Sequence, residues 1–155
     1  MVFEEKEIIY VAHPYAGKEE NKERIDRIMR WLITHDKEHV YVSPINNFGM
    51  VYFEESYSEG LEICLNLLEQ CDVLVLCGEW KTSKGCVGEW SFAKARNKDI
   101  YSLDEWKQSI KNRTRRRTNK VQYKYSTTRS NNSNRFKNKN RKFHGKQKCR
   151  NKDNM

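Results

Sequence analysis

Val73-Leu74-Val75-Leu76-Cys77 is apolar at every position. A strand with one wet face alternates apolar and polar residues. An unbroken apolar run marks a strand covered on both faces, as in a parallel sheet. The chain on either side agrees. Leu61, Cys64, Leu65 and Leu68 recur upstream at helical spacing, and Gly85 to Asn97 reads as a helix downstream. The intervening Gly78-Glu79-Trp80-Lys81-Thr82-Ser83-Lys84 is a loop from strand to helix.

The same alternation extends to both ends of the body. Glu7-Ile8-Ile9-Tyr10-Val11-Ala12 is β-branched and aromatic, reads as a strand, and stops at His13-Pro14. Ile25, Ile28, Met29 and Leu32 mark an amphipathic helix from Glu19 to Thr34. Val40 to Ser43 is a second strand, ended by Pro44, and Ile45 to Ser56 reads as a loop. Ile100 to Leu103 is a further strand, and Asp104 can cap a short last helix holding Trp106 and Ile110. Strands alternating with helices over residues 1–110 predict an α/β domain. It is Rossmann-like or flavodoxin-like, with a four- to five-stranded parallel sheet and right-handed crossovers.

Residues 111–155 differ in kind. The 155-residue chain carries a formal +9, but residues 1–110 hold 13 Lys+Arg against 20 Asp+Glu, a net −7. Residues 111–155 hold 17 Lys+Arg against Asp153 alone, a net +16. With almost no aliphatic side chains, this Asn/Lys/Arg-rich segment cannot offset the entropy of ordering its backbone, so a disordered basic tail is expected.

Composition also removes several functional classes. No apolar run approaches the roughly 20 residues needed to cross a bilayer, and the start, Met1 to Lys6, is charged and acidic. A cytoplasmic protein with no membrane partner is expected. The five cysteines, at 64, 71, 77, 86 and 149, include no C-x-x-C pair. They read as reduced thiols, mostly buried, and no metal site or cofactor is expected.

In parallel sheets, ligands bind beyond the carboxyl ends of the strands. Three segments fall there: His13 to Lys18, Ser43 to Phe53, and Gly78 to Glu89. Gly85 and Gly88 allow close approach of backbone, Ser83 can cap the helix or contact a phosphate, and Glu89 lies one turn in. A carboxylate there can attack an anomeric carbon, move a proton or bind ribose hydroxyls, or it can simply complement the helix dipole. The loop His13-Pro14-Tyr15-Ala16-Gly17-Lys18 matches neither G-x-G-x-x-G nor a Walker pattern. Its backbone amides could cradle one phosphate, or it is an ordinary turn.

Ile9-Tyr10-Val11-Ala12-His13-Pro14-Tyr15-Ala16-Gly17, followed by an Asn/Glu/Arg-rich helix, resembles the opening of the nucleoside 2-deoxyribosyltransferase superfamily. It is most similar to the small DUF4406-type subfamily of bacteria and phages. Leu68 to Leu76 resembles that family's helix-to-strand segment. Trp80, Ser83-Lys84-Gly85 and Glu89, followed by Ala93 and Ala95, resemble its signature. The resemblance implies an N-glycosidase or deoxyribosyltransferase-like enzyme acting on a nucleoside monophosphate or a nucleotide-derived signal. Glu89 would be its nucleophile and Tyr10 the residue that orients it. Substrate or phosphate contacts would come from His13, Tyr15, Ala16, Gly17, Lys18, Trp80, Ser83 and Gly85. It also implies a homodimer or higher homo-oligomer, with the aromatic loop Phe48 to Tyr57 available to a second copy.

At one position the pattern is broken. The family carries an Asp eight residues before the Asp that opens the third strand, and counting back from Asp72 gives Cys64. A thiol supplies neither that charge nor its hydrogen bonds. This motivates a second class of function, a non-catalytic protein that binds or sequesters a nucleotide, for example against a defence signal in a phage setting. A third class lies in the tail. Arg113, Arg115, Arg116 and Arg117, with Tyr123, Tyr125, Phe136 and Phe143 interleaved further on, suit nonspecific nucleic-acid contact by residues 111–155, or merely a solubilising extension.

Overall fold

The computed structural model describes residues 4–50 and 55–120. The element order is β1 (Ile8–Ala12), α1 (Glu19–His35), β2 (Val40–Val42), α2 (Pro44–Phe48), α3 (Tyr57–Glu69), β3 (Val73–Leu76), a 3₁₀ turn (Trp80–Thr82), α4 (Lys84–Ala95) and β4 (Asp99–Ser102). A helix over 103–111 follows. The four strands form one parallel sheet in the order β2-β1-β3-β4, with Tyr10 paired to Val42 on one side and Leu74 on the other. This is the flavodoxin-like order, and the point where the strand order reverses falls between β1 and β3.

Side chains of a strand alternate faces, and here each face receives its own helices. Ile9, Val11, Val73 and Val75 pack with Ile25, Met29 and Leu32 of α1 and with Trp106 and Ile110. Tyr10, Ala12, Leu74 and Leu76 face the other way, onto Leu68 of α3 and Cys86 and Ala93 of α4. β1 and β3 are therefore covered on both sides, as the unbroken run at 73–77 requires. Each fully buried aliphatic contributes roughly 1.5–3 kcal/mol.

A polar knot ties the first of these faces together. Trp106 Nε1 donates to Tyr41 Oη at 3.0 Å, and Tyr41 Oη donates to Asp36 Oδ2 at 2.8 Å. His39 Nδ1 meets the same carboxylate oxygen at 2.8 Å. Asp36, at the end of α1, is thus almost enclosed yet fully engaged.

Two local details differ from the expectation. The loop after β2 contains α2, which begins with Pro44 directly after Ser43, where the missing N–H of proline costs nothing. The last helix is capped by Ser102 rather than Asp104. Glu105 N–H donates to Ser102 Oγ at 3.3 Å and Ser102 N–H donates to Glu105 Oε2 at 2.8 Å, a reciprocal capping box. The chain divides after Lys111. In the second unit residues 112–120 are helical, and composition alone assigns this Arg-rich stretch to the tail. Arg and Lys are good helix formers, which composition-based reasoning about disorder does not weigh. The remaining tail, 121–155, with the aromatic positions read for nucleic-acid contact and Cys149, lies outside the described residues. Among those described, no helix is long and apolar enough to cross a membrane.

Candidate active site

The β1 and β3 strands end side by side, and both chains turn sharply there. After β3, Gly78 takes φ +59°. A Cβ at Gly78 would lie 3.3 Å from His13 Nε2, so the two loops meet through a glycine and an imidazole. His13 Nδ1 lies 2.7 Å from the Pro14 carbonyl, which fixes the proton on Nδ1. Burial lowers the His13 pKa, with a smaller push from Arg24, against the opposing Pro14 carbonyl. The ring is neutral near pH 7, with Nε2 an acceptor.

After β1, Ala16 and Gly17 both adopt positive φ, 51° and 66°. The left-handed turn at Ala16 costs about 1–2 kcal/mol for a residue with a Cβ. Lys18 N–H and Asn21 Nδ2 both donate to the Tyr15 carbonyl, at 3.1 and 2.9 Å, and hold the turn. Tyr15 Oη donates to the Gly49 carbonyl at 2.9 Å and ties this loop to the end of α2.

Between these loops and the helices lies a cavity of about 430 Å³, the size of an ordinary small-molecule site. Of the residues singled out from sequence, His13, Tyr15, Ala16, Lys18, Ser83, Gly85 and Glu89 line it. Gly17 sits in the turn without lining it. Tyr10 is completely buried beneath it. Trp80 is not brought to the cavity; its ring packs 5.9 Å from Trp90 in the α3–α4 layer.

Among the described residues Glu89 is the one acidic side chain lining the cavity, and it is only 5 % exposed. Tyr10 Oη donates to Glu89 Oε1 at 2.5 Å. Burial pushes the Glu89 carboxyl up to about 7, and the Tyr10 hydrogen bond pulls it partly back. The Tyr10 phenol is held well above its ordinary range, by burial first and by the facing carboxylate next, so it remains a donor at any physiological pH. Cys64 lies beside the same phenol and also raises its pKa. Burial, then the charge of Glu89, pushes its thiol up to about 11. Cys64, Cys71, Cys77 and Cys86 are free thiols.

Ser83 caps α4, its Oγ accepting from Cys86 N–H at 3.4 Å. This long contact leaves Oγ on the cavity wall with lone-pair capacity and its own proton. Against Glu89, the wall carries the cations Lys18 and Lys84. The acidic body thus holds a locally basic mouth above one buried carboxylate. Among the described residues no group of three or more His, Cys, Asp or Glu is placed to hold a metal ion.

The sequence reading missed most of one wall. Tyr57, Gly60 and Leu61 line the cavity together with Cys64, the position that the resemblance singles out, at i, i+3, i+4 and i+7 of α3. Leu61 and Cys64 read from spacing as core; only Leu68 of that helix is fully buried. The available signal was Tyr57 standing in register ahead of Leu61 and Cys64.

A parallel flavodoxin-like sheet with a buried, phenol-held carboxylate at its switch point is a ligand-site architecture. The chain belongs to the family described as "Domain of unknown function (DUF4406)", whose model matches residues 7–102. No curated protein sequence matches it. Among solved structures, it is similar to the 2-desoxiribosyltransferase from Leishmania mexicana, with 19% identity and a TM-score of 0.46. That match covers 62% of this chain and 63% of the other, so the chain spans somewhat under two thirds of that protein's length.

Proposed function

We propose that this protein is a nucleotide N-glycosidase or deoxyribosyltransferase-like enzyme, acting on a nucleoside 5′-monophosphate or a related nucleotide. The observation that carries this reading is the buried Glu89 held by Tyr10 Oη at the floor of a cavity whose mouth carries Lys18, Lys84 and Ser83. The Glu89 carboxylate attacks the anomeric carbon as the bond from that carbon to the base nitrogen breaks. The bonding electrons leave with the base, which takes a proton from water. Water, or an acceptor base in a transfer reaction, then displaces Glu89 from the glycosyl ester. Tyr10 keeps its proton throughout and holds one carboxylate oxygen, leaving the other aimed at the sugar. Lys18, Ser83 and the loop at Tyr15 to Lys18 carry the phosphate.

The test is a panel of deoxy- and ribonucleoside monophosphates with free base followed by chromatography. Release of base that disappears in Glu89→Gln supports the assignment. Release that survives the substitution overturns it, and an inactive parent protein overturns the enzyme reading.

A second reading, nucleotide binding without turnover, is favoured by Cys64. It sits beside Tyr10 and Glu89 with a protonated thiol. Recovery of an intact nucleotide from denatured protein supports it, and recovery of base with sugar phosphate counts against it.

A further inference from the structure

The cavity stripe of α3 runs from Tyr57 to Cys64, about 10 Å at 1.5 Å per residue. The stripe of α4 runs beside it from Ser83 to Glu89, about 9 Å by the same rise. The two helices touch where Gly88 meets Leu61, whose Cδ2 would be 3.2 Å from a Cβ on that glycine. Cys64 therefore pairs with the Glu89 end of the cavity, and Tyr57 with the Ser83 end.

At that end the fit is close. An ideal Cβ on Gly85 would stand 3.0 Å from Tyr57 Oη and 3.8 Å from Ser83 Oγ. The missing side chain of Gly85 makes room for a phenol hydroxyl in the cavity that Ser83 and Lys84 also line. The Tyr57 side chain is partly exposed, so its ring stands at the mouth rather than in the core. With the sugar at Glu89 and the phosphate on Ser83, as proposed above, the 5′ end of the ligand comes to the end of the stripe that carries this hydroxyl.

We infer that Tyr57 is the specificity-determining residue for the 5′ end of the substrate, its hydroxyl donating to an oxygen of a 5′-phosphate above Gly85. This rests on the nucleotide reading given above and adds to it the group that separates a nucleotide from a nucleoside. Gly85 serves as the seat of that hydroxyl.

The experiment is calorimetric titration of the full-length chain in a Glu89→Gln background, so that no ligand is consumed. A deoxynucleoside 5′-monophosphate is compared with the corresponding deoxynucleoside. Tyr57→Phe keeps the ring and removes the donor. It is expected to weaken the monophosphate about tenfold and to change the nucleoside less than twofold. Gly85→Ala is expected to reproduce that split, because its Cβ displaces the hydroxyl without deleting it. Equal weakening of both ligands would assign Tyr57 to packing and overturn the inference. Undiminished or tighter binding of the monophosphate by Tyr57→Phe would overturn it alone. If the protein without Tyr57→Phe binds neither ligand, this inference and the nucleotide reading fall together.

Discussion

Tyr10 Oη and Glu89 Oε1 stand 2.5 Å apart although 79 positions separate them in the chain. The contact exists because residue 10 faces the α3–α4 layer, as every second residue of β1 does. It also requires α4 to start at a serine cap placed so that its second turn passes over β1. One hydrogen bond thus joins the strand pattern to the helix register. The same contact favours the charged form of Glu89 against the larger effect of its burial.

The first consequence is a pH dependence of rate. A nucleophilic Glu89 must be ionised, and its pKa is about 7. Base release is expected to rise with pH along a limb centred near 7. In Tyr10→Phe the carboxylate loses a donor that favours its charged form. A hydrogen bond to a charged group is worth about 1.5–3 kcal/mol, so the limb should move up by about one pH unit or more. The profile of kcat/KM from pH 5 to 9 in both proteins checks this; an unmoved limb would show that Tyr10 does not govern Glu89.

The second consequence concerns stability. Glu89 has a folded pKa above the ordinary glutamate value of 4.5. Between pH 4.5 and 7 the folded chain keeps a proton that the unfolded chain releases, so stability falls as pH rises through that window. The loss amounts to about 3 kcal/mol at pH 8 relative to pH 4. Glu89→Gln carries no such term and should gain on the parent by up to that amount above pH 7 while gaining nothing at pH 4. Urea midpoints at the two pH values give the difference directly, and a parallel pH dependence in both proteins would contradict the burial of an ionising Glu89.

How much of this was legible in the sequence follows from which forces act locally. The strand at 73–77 is visible because burial on both faces leaves no polar position. Glu89 and Ser83 are visible because capping and strand–loop–helix punctuation are local. The role of Tyr57 is not, since its place depends on two helices meeting at Gly88 and Leu61. Trp80 misleads for the same reason. The resemblance implies a ligand contact there, whereas the 3₁₀ turn sets the ring against Trp90. The Ser102 cap was also within reach, because Ser-x-x-Glu at 102–105 is itself the signature.

The junction of the two loops gives a third prediction. Gly78 has φ +59°, a conformation that strains any residue with a Cβ, and an added methyl would press on the His13 ring at 3.3 Å. Gly78→Ala should lower stability by about 1–2 kcal/mol. It should also loosen ligand binding, because His13 lines the cavity. Urea denaturation measures the first effect and ligand titration the second. A neutral substitution would mean that the turn has freedom its geometry denies.

The last prediction tests what Cys64 means. It occupies the α3 stripe beside Glu89, and its thiol, with a pKa of about 11, brings no charge to the sugar or the departing base. Cys64→Asp places a carboxyl there. Two carboxyls facing one another raise each other's pKa, so the Glu89 limb should move above 7 and any comparison belongs near pH 9. If the missing carboxylate is what limits turnover, base release at that pH should rise at least about tenfold, the low side of what a positioned acid–base group contributes. Cys64→Asn is the control, since it has the same shape and no charge. Chromatography of free base from the parent and both variants decides the matter. A gain confined to Asp marks a binding site one residue away from efficient catalysis, whereas equal behaviour of Asp and Asn shows that the thiol is not what limits this site.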